Sequence, residues 1–396
     1  MMQISPETQL FIREHSSDDV RVLALQAKKY PDIDMPTAIT QIAGRKVAAE
    51  KIPSWWEIEK IWYPKHLSLE QCSSEITARY KARLLQGDSL TDLTGGFGID
   101  CSFLATGFKS ATYVERQEEL CEIAAHNFPV LNLNHINIKN EDGVTYLQAM
   151  SPVDCLFLDP ARRNEHGGKT VAISDCEPNV AELEELLLQK ANRVMIKLSP
   201  MLDLSLALKE LKQTQEVHIL SVNNECKELL ILLGQTSPTE ISIHCVNLST
   251  KGTQEEQHFV FTREQEQCSE CTYTDSLETY LYEPNASLLK AGAFRSIAAA
   301  YPVRKLHPNS HLYTSDTFIE NFPGRIFRIV NQCSFNKKEV KENLADLKKA
   351  NVTVRNFPAT VAELRKRLHL TEGGDTYLFA STLNNGQKVL IRCEKV

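Results

Sequence analysis

No stretch of the 396-residue sequence is apolar over the ~20 residues that a membrane-spanning helix requires. The first twenty residues, MMQISPETQLFIREHSSDDV, lack the basic start and long apolar centre of an export signal. The eleven cysteines are scattered, without the dense, regular spacing of a disulfide scaffold, so they read as reduced thiols of a cytoplasmic protein. Cys268-Ser269-Glu270-Cys271 is a CxxC without a second pair at zinc-ligand spacing, and no metal is expected. There is no internal repeat and no low-complexity tract. Tryptophan is scarce, and its three copies fall together at Trp55, Trp56 and Trp62, between Pro53 and Pro64. Such a cluster either stacks on bases or packs a helical corner.

What is present is a globular composition, 42% hydrophobic and 24% charged, in a chain long enough for two or three domains. The net charge of −7 is unevenly spread. Residues 290–396 carry 18 Lys/Arg against 9 Asp/Glu, or +9, and the first 289 residues therefore carry −16. A basic final third on an acidic body suits a nucleic-acid-binding appendage, or equally a solvated basic face.

Hydrophobic periodicity divides the chain into four parts: 1–87 helical, 88–235 alternating strand and helix, 236–322 linker strands with a small α+β segment, and 323–396 a compact α+β module. In the first part, the spacing predicts one helix over 69–85, with Gln71, Ser73, Ser74 and Thr77 on its polar face. In the second, strands are expected at 89–93, 111–115, 136–139, 153–158, 193–198, 217–222 and 229–233. Near-continuous apolar strands such as CLFLD and RVMIKL, alternating with helices, indicate a parallel sheet covered on both faces. Only NNECKE separates the last two, so they pair antiparallel. In the fourth part a helix is expected over 337–349.

The segment Thr91-Asp92-Leu93-Thr94-Gly95-Gly96-Phe97-Gly98-Ile99-Asp100 closes the first of these strands. Glycines there allow close backbone approach to a ligand at the carboxyl edge of the sheet, or simply form a tight strand–helix turn. Their spacing departs from G-x-G-x-x-G, which argues against a nicotinamide dinucleotide. Asp92 suits the cationic amino-acid end of S-adenosylmethionine (SAM), with Thr94, Gly95, Gly96, Phe97 and Gly98 as the rest of the cradle. Glu115 ends the second strand, where a carboxylate can accept from ribose hydroxyls. Asp142 follows the third, within reach of an adenine amine. Asp159-Pro160-Ala161-Arg162-Arg163 follows the fourth, where the reacting group belongs.

These motifs resemble the class I SAM-dependent methyltransferases over about residues 70–235. More closely, EQCSSEITARYKA, DLTGGFGID, LDPARR and YEPNASLLKAGAF resemble the members with a C-terminal THUMP-like domain, known mainly from Bacteroidetes. The resemblance implies a Rossmann-like α/β sheet of seven strands with the last antiparallel, preceded by a helical region. A ferredoxin-like segment around 280–323 and a THUMP-like module would follow. It implies SAM as cofactor, with Thr77 among the residues that cap it, and structured RNA (tRNA or rRNA) as partner, since THUMP domains bind RNA. Well-known THUMP methyltransferases place that domain before the catalytic one, the reverse of the order here.

In enzymes that methylate exocyclic amines, Asp/Asn-Pro-Pro-aromatic holds the base. Here Asp159 and Pro160 match, while Ala161 and Arg162 depart. Arg162 and Arg163 could grip phosphate or stack on a base. The fifth strand ends Lys197-Leu198-Ser199-Pro200 without a cysteine, which argues against covalent ring methylation. The expectation is methyl transfer to a base nitrogen, with Asp159, Pro160, Arg162 and Lys197 at the reacting centre. Lys197 would contact substrate phosphate or be a plain surface lysine. The alternative is a methyltransferase fold that no longer catalyses and serves as an RNA- or partner-binding scaffold.

Overall fold

The computed structural model describes residues 4–162, 172–236, 238–250 and 256–396, with the Arg162 side chain excepted. The chain forms two compact units. The first holds residues 1–216 and 229–239; the second holds 217–228 and 240–396.

The first unit begins with helices α1 (Pro6–Glu14), α2 (Val20–Leu25), α3 (Met35–Lys51) and α4 (Pro53–Trp56). Ser5, Asp19 and Asp34 cap the first three, each side chain accepting from a backbone N–H of the first turn. The helix expected over 69–85 is two helices, α5 (His66–Gln71) and α6 (Glu75–Ala82). Cys72 and Ser74 take extended backbone between them. The Ser73 hydroxyl is taken by Asp100, a partner distant in sequence, and the chain leaves the helix there. Ser73 therefore sits in a break and not on a helix face, its hydroxyl turned inward to Asp100 Oδ2 at 2.7 Å.

The sheet follows: β1 (Ser89–Asp92), α7 (Ile99–Ala105), β2 (Ser110–Glu115), α8 (Glu118–Val130), β3 (Ile136–Asn140), α9 (Gly143–Ala149) and β4 (Val153–Leu158). A two-residue ladder of β5 (Ala161–Arg162) and β6 (Cys176–Glu177) precedes α10 (Val180–Lys190), β7 (Ala191–Leu198), α11 (Leu204–Glu210), β8 (Thr214–Val222) and β9 (Glu225–Gly234). These strands run in the order β3-β2-β1-β4-β7-β9-β8, and two later strands extend the sheet to nine where the resemblance implies seven. Pairing is parallel from β3 through to β7, and antiparallel between β7 and β9. The apolar runs explain this centre: Val194, Met195 and Ile196 of β7, and Leu229–Leu233 of β9, are wholly buried. The last hairpin is longer than expected. Asn223 and Asn224 alone make the turn, both at positive φ, a conformation asparagine tolerates. The strand order reverses beside β1, so the carboxyl ends of β1 and β4 flank the crevice where α/β sheets bind ligands.

In the second unit, β10 (Ser242–Leu248) and β11 (Glu256–Thr262) pair antiparallel and lead to α12 (Arg263–Cys268). Then come β12 (Tyr280–Pro284), α13 (Ala286–Ala291), α14 (Ser296–Ala300), β13 (Arg304–Lys305), β14 (Tyr313–Ser315), β15 (Gly324–Ser334), α15 (Lys337–Leu344), β16 (Asn351–Val354), α16 (Val361–Leu368), β17 (Thr376–Thr382) and β18 (Lys388–Lys395). Their strands form one sheet, β13-β14-β12-β15-β18-β17-β16. Glu283, almost fully buried, binds both Arg325 and Arg355 and so ties β12 to β15 and to the end of β16. The helix expected over 337–349 stops at Leu344. Asp346, two residues on, accepts instead from Arg392 of β18 at 2.8 Å.

Candidate active site

Thr91 and Asp92 end β1 inside the sheet, so the Asp92 carboxylate is wholly buried. Its Oδ1 accepts from the Thr94 N–H at 3.0 Å. Its Oδ2 has no hydrogen-bond partner among the described residues. Burial pushes this carboxyl well above the usual range; the Thr94 N–H opposes the shift, and Asp100, Asp159 and Glu115 add to it.

The glycine loop lies against Tyr113 of β2. A Cβ on Gly95 would sit 2.2 Å from the Tyr113 ring, so only glycine fits. Gly96 and Gly98 have φ of +54° and +87°, and Gly98 leads straight into α7. Glu115 at the end of β2 is nearly buried, its Oε2 accepting from the Gly96 N–H and its Oε1 from the Gln117 N–H, both at 2.9 Å. Asp142 is exposed and caps α9, its Oδ1 accepting from the N–H groups of Val144 and Thr145. Thr94 Oγ1 accepts from the Asp159 N–H at 2.6 Å, drawing the ends of β1 and β4 together.

Lys197, one residue before the end of β7, reaches the Asp159 Oδ2 at 2.6 Å. The same ammonium lies 3.1 Å from Ser73 Oγ and 3.4 Å from Asp100 Oδ2. Lys81 of α6, wholly buried, meets Asp100 Oδ1 at 3.0 Å and donates to Ser73 Oγ at 2.9 Å. Burial alone would raise the Asp100 carboxyl, but the Lys81 and Lys197 ammoniums and the Ser73 hydroxyl hold it below its ordinary value. Asp100 also stands in the first turn of α7, where the helix dipole favours a negative charge. Burial raises the Asp159 carboxyl, against the pull of Lys197.

The structure thus brings together Asp92, Thr94, the three glycines, Glu115, Asp159 and Lys197 at the carboxyl edge of the sheet. Pro160 follows Asp159 and is buried. Arg162 contributes its backbone to β5, opposite Cys176; its side chain and Arg163 lie outside the described residues. Lys197 is neither a free surface lysine nor a group left open for phosphate, because two carboxylates claim it.

Phe97 departs from its expected place in the cradle. Its ring is buried against Trp55, edge-on with centroids 5.2 Å apart, and against Tyr63. An aromatic between two glycines can swing away from the cradle, and apolar burial takes it to the helical core. Trp55 belongs to that core and Trp62 stacks on His126 at 3.7 Å, so these two rings pack a corner. Thr77 is buried in α6 with its hydroxyl donated to the Ser74 carbonyl.

Lys81 and Asp100 were not singled out by sequence. The available signal was a lysine four residues after Thr77, on the face of α6 that also buries Ala78, and an acid placed directly after TGGFGI. Neither pattern says that the two meet.

In a set of solved structures, a protein from Porphyromonas gingivalis W83 assigned as a methyltransferase matches all of this chain and all of its own, at 34% identity and a TM-score of 0.87. A ferredoxin-like domain family matches residues 280–323, and a THUMP-domain-like family matches residues 324–395. The chain belongs to this family of class I methyltransferases with a THUMP-like domain at the C-terminal end. An rRNA methylase from Streptococcus thermophilus also matches, at 14% identity and a TM-score of 0.30, over 40% of this chain and 93% of its own. No curated protein matches.

Proposed function

We propose that this protein transfers a methyl group from SAM to a nitrogen of a base in structured RNA, tRNA or rRNA. The observation that carries the cofactor half of this reading is the Asp92 carboxylate. It is buried in a glycine cradle with one oxygen lacking a partner among the described residues, amid three further carboxylates. Such a group is costly unless a cation answers it, and SAM carries two positive centres, an ammonium and a sulfonium. Asp92, Thr94, Gly95, Gly96 and Gly98 would hold its amino-acid end, Glu115 its ribose, and Asp142 its adenine amine.

Bound there, SAM supplies a methyl group already activated on sulfur. The chain's own task is alignment, because methyl transfer to an amine needs little besides proximity and a sink for the developing charge. Asp159 Oδ2 is occupied by Lys197, which fixes the carboxylate and leaves Oδ1 to accept from a substrate N–H. Pro160, buried beside it, stiffens the segment. Arg162 is the residue to grip phosphate or stack on the base.

The RNA half rests on charge and on the second unit. Lys337, Lys338 and Lys341 of α15, Lys348 and Lys349 beyond it, and Lys366 and Arg367 of α16 are all exposed. Their counterfaces, Leu344 and Leu364, are packed into the module's core. An outward basic face on a THUMP-like module fits a phosphate backbone. The test is transfer of radiolabelled methyl from SAM to total tRNA and rRNA; label in RNA that Asp159→Ala abolishes is expected. Transfer to small molecules or protein alone, sustained by a truncation ending near Gly234, would overturn the RNA reading.

A further inference from the structure

The site contains one buried lysine that the proposed reaction does not use. Lys81 is wholly enclosed, on a helix outside the sheet, and it meets Asp100 and Ser73 directly. Stability is a poor reason to bury such a pair, since an apolar pair of similar volume generally does as well or better. Ser73 Oγ is the hub: it takes hydrogen bonds from both lysines and gives its own to Asp100 Oδ2 at 2.7 Å. Two ammoniums and one carboxylate therefore share one hydroxyl, and Lys197 carries the link on to Asp159. Asp100 could bind either lysine, and Lys197 could bind either aspartate.

We propose that Lys81, through Asp100 and Ser73, is a positioning residue that releases Lys197 to Asp159 and so fixes the carboxylate that meets the substrate N–H. The inference rests on the reading of Asp159 as the substrate acceptor. The distances show the division: Asp100 lies 3.0 Å from Lys81 but 3.4 Å from Lys197, and Lys197 lies 2.6 Å from Asp159. With Lys81 present, Asp100 is satisfied and Lys197 leans to Asp159. Without it, Asp100 is a buried anion whose remaining cation among the described residues is Lys197, and it competes for that ammonium. This makes the helical region before the sheet part of the active site, entering through α6 and the break at Ser73.

Among the described residues, the charged groups facing Asp159 are Lys197 from β7, Asp100 from α7, Lys81 from α6 and Asp92 from β1. Drawing Lys197 away removes the nearest positive charge, so Asp159 takes up its proton at higher pH. The test uses the full chain carrying lysine labelled with 15N at Nζ, with the Lys197 resonance assigned as the one lost in Lys197→Met. In the wild type this resonance follows an acidic titration that Asp159→Asn removes. In Lys81→Met its inflection is expected to rise by about one pH unit, as the loss of a neighbouring opposite charge produces. In Lys81→Met/Asp100→Asn, where no buried anion is left to compete, it returns to the wild-type position.

The double variant also answers the case in which Lys81→Met fails to fold. The acid limb of methyl transfer is expected to move with the resonance in each variant. An inflection unmoved in Lys81→Met, or displaced equally in the double variant, would overturn the proposal. A wild type that titrates as described yet methylates no RNA would instead sink the functional reading, and the coupling would stand as charge balance alone.

Discussion

Lys197 and Asp159 stand at the ends of two adjacent parallel strands, joined ammonium to carboxylate at 2.6 Å. The register sets this contact, since Leu158 is paired with Ile196 and the next residue of each strand brings the two charges level. Lys197→Met is expected to lower kcat more than KM, because Asp159 keeps its place in the chain but loses the group that fixes its direction. Steady-state methyl transfer over a range of RNA concentrations checks this. A change in KM alone would return Lys197 to the role of a phosphate contact.

Asp92 and Asp100 are both buried, yet their effects on stability have opposite sign. Asp100 is held below its ordinary value, so the stability it adds is full above the usual carboxylate range and is lost as pH falls through its lowered value. Asp92 is raised, so its cost is absent below about pH 4 and grows as pH rises through the unfolded value toward the folded one. Asp100→Asn should cost roughly 3–5 kcal/mol at pH 7, leaving Lys81 buried without its anion. Asp92→Asn should leave the cofactor-free protein about 1 kcal/mol or more stabler at pH 7, with the gain gone near pH 4. Urea titrations at both pH values read the two effects.

Gly95 approaches the Tyr113 ring so closely that Gly95→Ala must move the loop. A loss of about 1–3 kcal/mol in stability is expected from the overpacking, together with weakened SAM affinity. Thermal melts with and without SAM separate the two. Phe97→Ala should cost about 3–5 kcal/mol through the core it shares with Trp55 and Tyr63.

On the basic module, Lys337, Lys338 and Lys341 changed together to alanine should weaken RNA binding at every sequence. If all three contact phosphate, the slope of log affinity against log salt should fall by about two to three. Fluorescence anisotropy at several salt concentrations measures it, and an unchanged slope would assign those lysines to solvent.

The apolar runs CLFLD and RVMIKL were enough to read a parallel sheet, because strands buried on both faces have nothing polar to hide. The order of acids after strands was likewise legible, since each follows a segment with strand-like alternation or an apolar run. What the sequence could not show was which acids turn inward. Asp92 and Asp142 look alike in it, yet one is wholly buried and the other is an exposed helix cap. Phe97 packs with Trp55 and not in the cradle, because composition cannot tell which wall of a loop an aromatic will join. The break at Ser73 was hidden because its cause, Asp100, is 27 residues away. Arg162 and Arg163 are offered by the sequence as a phosphate grip or a base stack, and the Arg162 side chain and Arg163 lie outside the described residues.

The account rests on a cationic cofactor answering Asp92, and calorimetric titration of SAM and S-adenosylhomocysteine into wild type and Asp92→Ala tests it most directly. Micromolar binding of both by the wild type, lost in the folded variant, is the result expected. A well-folded wild type that binds neither would contradict the account and leave a methyltransferase fold kept as a scaffold.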